Sequence, residues 1–363
     1  MFKETKIALA VALIIPGTSF ADIEYTPTGQ TADPYKEILE FVWEPTREGG
    51  NISQTAQEGY ENVSTTHQTA GGTASSTVVQ LGELNDAKSS QDATGSSSVI
   101  FQKGDYNRAE VALGYADEST SIVEQYGADN DAKVAIWGSA NDNLVIQDGY
   151  GHKAGAIIIG DSNDISSIQE GSEHIAALAI YGHENSIDND QGGWANNVEA
   201  LVYGERNTVK TSQWGESNKG TVVVAGTGNY TLLQQNGALQ TATLKTDGKN
   251  NTVKSDQYES LGSSITANVA GNGNSLQATQ QLGAYDTIEA DLVGSDGNDI
   301  YLLQEHSAYN KIDLDFEKAN NSFVAAYQTG WNNTAVIQST GGSYDATKVS
   351  QYGEGNSATS IVK

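Results

Sequence analysis

Histidines and acidic turns are the parts of this sequence whose residue types could do chemistry. His152 and His174 occupy equivalent contexts 22 residues apart, and a pair of neutral imidazoles can bind a metal ion. No further ligand accompanies them, which favours a structural role for both rings. His67, His183 and His306 have no partner that the sequence identifies.

Two acidic turns, residues 160–164 and 294–299, resemble the Gly- and Asp-rich turns of calcium-binding β-rolls. Those β-rolls repeat every nine residues or so with Asp at a fixed place. Here the fixed residue is Asn and the acidic positions vary. We expect diffuse cation screening rather than a specific metal site, and a calcium site stays open as an alternative.

Charge and cysteine content exclude several classes of protein. The 363 residues include 46 acidic and 19 basic side chains, for a net charge of -27, and no Cys. Without Cys there is no disulfide, no thiolate metal centre and no thiol nucleophile. The negative charge argues against binding to nucleic acid. Nothing in the sequence brings catalytic residues together, so we expect a protein without a cofactor that is not an enzyme.

The distribution of proline predicts a long β-structure. Only 37% of the residues are hydrophobic, and 39 are Gly, which allows a narrow core. The four prolines are Pro16, Pro27, Pro34 and Pro45. Because proline cannot donate a hydrogen bond to a β-ladder, the proline-free remainder is typical of continuous strand pairing.

The first 50 residues differ from the rest of the chain. Residues 1–21 have the lysines, the short apolar stretch and the small final residues of a secretory signal peptide. Residues 22–50 form a leader or targeting segment with the other three prolines and a short amphipathic stretch at 35–43. The apolar stretch is too short to span a membrane, and nothing comparable follows it.

A glutamine, usually followed two residues later by glycine, recurs at a nearly constant interval. Its positions are Gln57, Gln80, Gln102, Gln125, Gln147, Gln169, Gln191, Gln213, Gln235, Gln257, Gln280, Gln304, Gln328 and Gln351. The intervals are all 22, 23 or 24 residues. A period of this length is the signature of a repeat architecture.

Glycine and asparagine keep step with the glutamine in the central units. Thirteen residues after the glutamine come Gly138, Gly160, Gly182, Gly204, Gly226 and Gly248. Three residues later come Asn141, Asn163, Asn185, Asn207, Asn229 and Asn251. A second asparagine usually stands five residues after the glutamine, and His152 and His174 take that place in two units.

Each unit contains two strands and two turns. In one unit, residues 208–213 and 219–225 have strand patterns, and residues 214–218 and 226–229 are rich in Gly, Asn and other turn residues. Because strand side chains alternate, Val209, Thr211 and Gln213 point into the unit.

Stacking these units predicts the fold class. One unit cannot bury its own core, but stacked copies place equivalent residues above one another. Asn and Gln can then hydrogen-bond along the stack, as in cross-β structures. We therefore predict an all-β protein, a β-solenoid of strand-turn-strand rungs over residues 51–363. At about 4.8 Å per rung the rod is on the order of 60 Å long, with unpaired strands at its ends.

The repeat resembles the curlin repeat of curli subunits, which has Ser, then Gln-x-Gly-x-x-Asn-x-Ala, then a second Gln. Residues 80–87 with Gln91 match this motif best, residues 102–109 match its central part, and residues 57–62 with Gln68 keep the spacing. The resemblance covers residues 51–363. The departures are the second Gln, which is Val224 or Ile136 in central units, and the motif Gly, which aligns with Glu259 in one unit and His306 in another.

The resemblance implies an extracellular functional amyloid on a bacterial cell surface. Subunits of this family leave the cell through an outer-membrane pore, are nucleated at the surface and stack into biofilm fibres. The implied partners are further copies of the chain, a curli-type nucleator, the secretion pore and other matrix components. The main alternative is a monomeric secreted β-solenoid, either an adhesin or a cation-binding surface protein, with capped ends. A polysaccharide-cleaving solenoid is disfavoured because the sequence has no long loops or clustered acids.

Overall fold

The computed structural model describes residues 50–69, 73–316, 320–339 and 345–362. The expected signal peptide, residues 1–21, lies outside this part of the chain, as does the leader segment except for Gly50. The described residues form 28 β-strands, most of them joined by tight turns, and they contain no helix.

The strands alternate between two parallel sheets, sheet A and sheet B, each with 14 strands. Sheet A contains β1 (Ile52–Tyr60), β3 (Ser75–Glu83), β5 (Ser97–Asp105), β7 (Thr120–Ala128), β9 (Asp142–Tyr150), β11 (Asp164–Ser172), β13 (Ser186–Trp194), β15 (Thr208–Glu216), β17 (Tyr230–Ala238), β19 (Thr252–Leu261), β21 (Ser275–Gln281), β23 (Asp299–Ala308), β25 (Phe323–Trp331) and β27 (Ala346–Glu354). Sheet B contains β2 (Val63–Gln68), β4 (Asp86–Asp92), β6 (Arg108–Gly114), β8 (Asp131–Trp137), β10 (Lys153–Asp161), β12 (Ile175–His183), β14 (Asn197–Glu205), β16 (Lys219–Thr227), β18 (Thr241–Lys249), β20 (Ser264–Asn272), β22 (Thr287–Asp296), β24 (Lys311–Phe316), β26 (Thr334–Ser339) and β28 (Ser357–Val362).

Each strand pairs with the equivalent strand of the rungs above and below. In sheet A, Gln169 of β11 lies between Gln147 of β9 and Gln191 of β13. Sheet B keeps the same order, because Ile158 of β10 pairs with Ile180 of β12. The predicted β-solenoid of strand-turn-strand rungs is therefore confirmed.

The core lies between the two sheets and consists of the inward side chains of both. Val209, Thr211 and Gln213 are all buried, as the alternation predicts. A single apolar cluster runs through the stack from Val78 to Ile337. Full burial of one such aliphatic side chain contributes about 1.5 to 3 kcal/mol, so repetition along the stack compensates for the narrow core of each rung.

Glycines form the corners because the backbones of successive rungs approach closely there. Gly204 has φ +113°, and a Cβ atom built on it would lie 2.0 Å from the carbonyl oxygen of Gly226 on the next rung. Gly226 stands in the same relation to Gly248, at 1.9 Å. The predicted corner glycines thus meet two requirements at once, a φ that L-residues avoid and the lack of a side chain.

The alignment of Glu259 and His306 with the motif glycine is wrong. The register of sheet A shifts at both places, so that Gly237 pairs with Ser260 and Ser307 pairs with Gly330. Glu259 and His306 are inserted residues with φ 47°. Each is the extra residue of a β-bulge, and a serine takes the glycine position after it.

The glycine corners generate a stability prediction. Gly204→Ala should destabilise the protein by at least about 2 kcal/mol, because the new methyl group meets the Gly226 carbonyl and φ is positive. Gly155→Ala is the matched control, since its Cβ would lie 4.0 Å from the nearest atom, the Ala176 carbonyl oxygen. Urea unfolding followed by circular dichroism measures both, and equal losses would contradict the corner argument.

Candidate assembly site

Glutamine side chains form one continuous hydrogen-bonded ladder through the core. The Nε2 group of each glutamine donates to Oε1 of the glutamine on the next rung, from Gln57 to Gln351, over distances of 2.5 to 3.0 Å. All thirteen bonds run in the same direction. The 14 glutamines that the repeat singled out therefore lie on one line, with a donor end and an acceptor end.

The second Nε2 hydrogen of the glutamine crosses the core to the other sheet. Gln213 donates to the carbonyl oxygen of Asn197 at 3.1 Å, and Gln235 donates to that of Lys219 at 3.2 Å. Each central glutamine thus joins two rungs and two sheets. A buried amide is costly unless its groups are paired, and here both Nε2 hydrogens are used.

Asparagines form a second type of ladder at the turns. Oδ1 of Asn207 accepts from both the backbone N–H and Nδ2 of Asn229, each at 3.0 Å. Its own Nδ2 donates to Asn185 Oδ1 at 3.1 Å and to the carbonyl oxygen of the corner glycine Gly226 at 2.9 Å. The asparagine therefore locks the turn of its own rung to the rungs on both sides.

The predicted Asn141 to Asn251 series extends further than the sequence pattern shows. Asn274 donates to Asn251, and Asn298 donates to Asn274, which continues the same ladder. The other corner has its own ladder, which includes Asn85, Asn107 and Asn130. The inserted residues of the later rungs move Asn274 and Asn298 away from the expected spacing, so a fixed interval does not find them.

The turns contain a left-handed backbone position that the sequence does not reveal, because a residue other than glycine often fills it. The residue before the ladder asparagine has a left-handed backbone conformation, with φ 54° at both Ala195 and Arg206. Glycine fills this place only at some turns, such as Gly228 at φ 67°. Each non-glycine residue here costs about 1 to 2 kcal/mol of backbone strain, which the ladder bonds offset.

His152 and His174 belong to the ladder that contains Asn85, Asn107 and Asn130. Their rings are buried and stacked, with centroids 5.1 Å apart and planes 7° from parallel. The backbone N–H of His174 donates to Nδ1 of His152 at 3.2 Å, and Asn196 N–H donates to Nδ1 of His174 at 3.1 Å. Each Nδ1 thus replaces an asparagine Oδ1 as an acceptor, which supports the structural role predicted for this pair.

The ladder also determines the protonation of these histidines. Since Nδ1 accepts a backbone N–H, the ring proton lies on Nε2, which faces the carbonyl oxygen of Glu170 at 2.9 Å from His174. Burial, and then the neighbouring His174, lower the pKa of His152 from 6.5 to about 4. Burial also lowers the pKa of His174. Both rings are neutral at pH 7.

Several acidic side chains lie on the outer face of sheet A, whereas Asp286 is buried at a ladder position, where it accepts the backbone N–H of Asn310. Burial raises the pKa of Asp164, with further contributions from Asp142 and Asp188. Burial likewise raises the pKa of Asp190, assisted by Glu170 and Asp188. Among the described residues, no group of three or more His, Asp or Glu side chains could hold a metal ion.

The two ends of the rod present complementary groups. At the first described rung, Gln57 Nε2 donates to Gln80, so its Oε1 faces away from the other described rungs. At the last rung, Gln351 accepts from Gln328 and presents Nε2. The spacing of Gln57, Gly59 and Asn62 equals that of Gln351, Gly353 and Asn356. A second copy could continue the rod in register, with donor facing acceptor.

Comparison with known proteins gives no match to any family model and no significant match to a curated protein. Within the described residues, no helix has the length and apolar character needed to cross a membrane. The candidate site is therefore defined by its geometry, which is the first and last described rungs joined by one continuous ladder of glutamine side chains.

The glutamine ladder generates a prediction about folding. Gln213→Ala should cost about 2 to 4 kcal/mol, because it leaves Gln235 Oε1 without its donor, removes one acceptor of Gln191 Nε2 and opens a small cavity. Ser212→Ala, on the outward side of the same strand, should change stability by less than about 0.5 kcal/mol. Equal losses in urea unfolding would refute the assignment of faces.

The histidine pair generates a prediction about pH. Because the pKa of folded His152 is depressed, its contribution to stability is complete above about pH 6.5 and is lost as the pH falls towards 4. His152→Asn restores the usual ladder residue and removes this dependence.

We compare the free energy of unfolding of the wild type with that of His152→Asn. The difference, wild type minus variant, should fall by about 2 kcal/mol as the pH is lowered from 7.5 to 5.0. Urea unfolding at several pH values measures this difference, and the carboxylates shared by both proteins cancel in it. A difference that does not change with pH would show that His152 is not held in its neutral form.

Proposed function

We propose that this protein is a secreted structural subunit that stacks end to end into extracellular, curli-like amyloid fibres of a biofilm matrix. The observation that carries the proposal is the complementarity of the two ends. The glutamine ladder would continue from Gln351 Nε2 to Gln57 Oε1 of the next copy, with the same polarity as the thirteen bonds within the chain.

The backbone of the last rung supports the same geometry. Phe323 N–H donates to the carbonyl oxygen of Asp345, which shows which groups of β27 face β25. In a parallel sheet the direction alternates along the strand, so the N–H groups of Ala346, Lys348 and Ser350 face the open edge. The described residues place no strand against that edge. A row of unpaired groups of this kind is a template for another strand.

The large negative charge suits a subunit that must stay soluble until it reaches a fibre. Copies with a net charge of -27 repel one another at long range. Salt shortens the range of that repulsion, to about 8 Å at physiological ionic strength. A template that holds one copy in register overcomes the remaining barrier, which is the role that the curlin resemblance gives to a nucleator. The same resemblance supports export through an outer-membrane pore and contact with other matrix components.

A monomeric adhesin or cation-binding surface protein is the second candidate, and one observation favours it. The inward residues of β1 and β2 are polar: Ser53, Thr55 and Gln57, then Ser64, Thr66 and Gln68. Terminal repeats with polar faces cap many solenoids and keep them monomeric. In this chain the polar rung still keeps Gln57, Gly59 and Asn62 in ladder positions, which favours stacking.

Assembly of the purified protein tests the proposal. Quiescent incubation should give fibres with reflections near 4.8 Å and about 10 Å, the two spacings of cross-β structure. Protein that stays monomeric for days, by sedimentation and dye binding, would refute the proposal and favour the adhesin.

A variant of the last strand makes the test specific to the rod ends. Ser350→Pro removes one N–H from the open edge and leaves the bonds to β25 in place. Every junction needs one such edge, so the variant should fold normally and fail to form fibres. Ser350→Ala, which keeps the N–H group, should assemble like the wild type. Normal growth of Ser350→Pro would show that fibres do not form through this edge.

A further inference from the structure

One outer face of the rod is apolar, and no described residue covers it. We call it the apolar face, and it consists of the first four outward side chains of each of β8, β10, β12 and β14. Its members are Asp131, Lys133, Ala135, Trp137, Lys153, Gly155, Ile157, Ile159, Ile175, Ala177, Ala179, Tyr181, Asn197, Glu199, Leu201 and Tyr203. Ile157 and Ile159 are 39% and 42% exposed. Isoleucines this exposed on neighbouring positions are typical of an interaction surface.

The apolar face is electrically neutral on a strongly acidic rod. Its charged residues are Lys133, Lys153, Asp131 and Glu199, two of each sign, while Asp161 and Glu205 lie outside it, beyond the corner glycines at the ends of their strands. The outward face of sheet A on the same four rungs has no Lys or Arg and seven acidic side chains: Glu124, Asp142, Asp148, Asp164, Glu170, Asp188 and Asp190. Repulsion therefore opposes side-by-side contact through sheet A and leaves the apolar face available.

The size of the side chain at one position of the apolar face alternates along the rod. The third outward position of each strand carries Ala135, Ile157, Ala179 and Leu201 in succession. Beside it runs a shallow groove of about 430 Å³, whose floor includes Gly155 and Ala177. Small and large side chains thus alternate from rung to rung at this position, whereas the fourth outward position is large on every rung: Trp137, Ile159, Tyr181 and Tyr203.

We propose that the apolar face packs against the apolar face of a second copy of this chain, so that two fibres lie side by side and antiparallel. The two-fold axis runs along the strand direction between β10 and β12. Rotation about this axis places each residue opposite a residue at the same position along a strand, and it reverses the order of the rungs. It places Ile157 against Ala179, and Ala135 against Leu201, of the other copy.

The same axis also matches charges. Lys133 and Glu199 stand at the second outward position of β8 and β14, at equal distances from the axis. Each Lys133 therefore meets Glu199 of the other copy, and the pair occurs twice per contact. Complementarity of the face to itself, in size at the third outward position and in charge at the second, is what a two-fold interface requires.

The size of the contact predicts strong association of fibres and only weak association of single subunits, at high concentration. Four rungs and four outward residues span about 20 Å by 25 Å. The resulting area of about 500 Å² per copy is below the 800 Å² or so of a stable interface. In a fibre of stacked subunits the face recurs once per subunit, so many weak contacts act together. The inference rests on the proposed fibre. Because β-sheets twist, two paired fibres must wind about each other.

A charge swap tests the pairing. Electron microscopy of wild-type fibres should show wound pairs. Lys133→Glu and Glu199→Lys each place like charges opposite one another twice, so each should reduce the fraction of paired fibres by about tenfold or more. The double variant Lys133→Glu/Glu199→Lys restores opposite charges and should restore the pairs. Lys210→Glu, on the outer face of sheet A, is the control and should leave pairing unchanged.

The outcomes separate this inference from the proposed function. Single wild-type fibres, or pairs that neither single variant affects, would overturn the pairing and leave end-to-end stacking intact. If no fibre forms at all, stacking fails, and sedimentation equilibrium at high protein concentration then tests the face alone. A wild-type dimer that Lys133→Glu weakens and the double variant restores would support the interface, and a monomer at every concentration would refute it.

Discussion

The structure depends on the requirement that a buried amide must have its donors and acceptors paired. In most globular proteins amides lie at the surface, where water satisfies them. Here the glutamine side chain points between two sheets, and it is satisfied only if an identical side chain lies one rung above and another one rung below. A displacement of one residue in either strand would break these bonds and turn the apolar residues outward. The ladder therefore enforces register more strictly than apolar packing alone, since valine, isoleucine and leucine can exchange places at modest cost.

Register in turn explains the other features of the rod. Because every rung is in step, the corner glycines meet one another, and the backbone approaches closely enough that only glycine fits at positions such as Gly204. The asparagines then reach both the neighbouring asparagine and the neighbouring glycine carbonyl oxygen. Where the chain carries an extra residue, as at Glu259 and His306, it is extruded as a bulge at the corner and the glutamine ladder continues unbroken.

The outer surfaces of the rod differ from one another more than the core differs from rung to rung. The ends of the rod continue the internal ladders and are specific, since a partner must supply glutamine, glycine and asparagine at the same spacing. The sides depend on charge. The outer face of sheet A concentrates carboxylates whose pKa values are raised by burial and by one another, as at Asp164 and Asp190. The opposite face is neutral and apolar over four rungs. Under the two proposals, a single chain has one specific mode of contact along its axis and one weaker mode across it.

The repeat alone predicts the architecture, because a period of 22 to 24 residues with alternating strands has few other ways to bury its apolar positions. The glutamine series, the central asparagines and glycines and the inward faces all follow from that period. Only the tertiary structure showed that Glu259 and His306 are insertions, because an interval of 23 or 24 residues does not say where the extra residue lies. It also decided that Asn274 and Asn298 continue the ladder, that Ala195 and Arg206 take a left-handed conformation, and that histidine Nδ1 replaces asparagine Oδ1. These features depend on which atoms of one rung face the next, and strand periodicity carries no information about that contact.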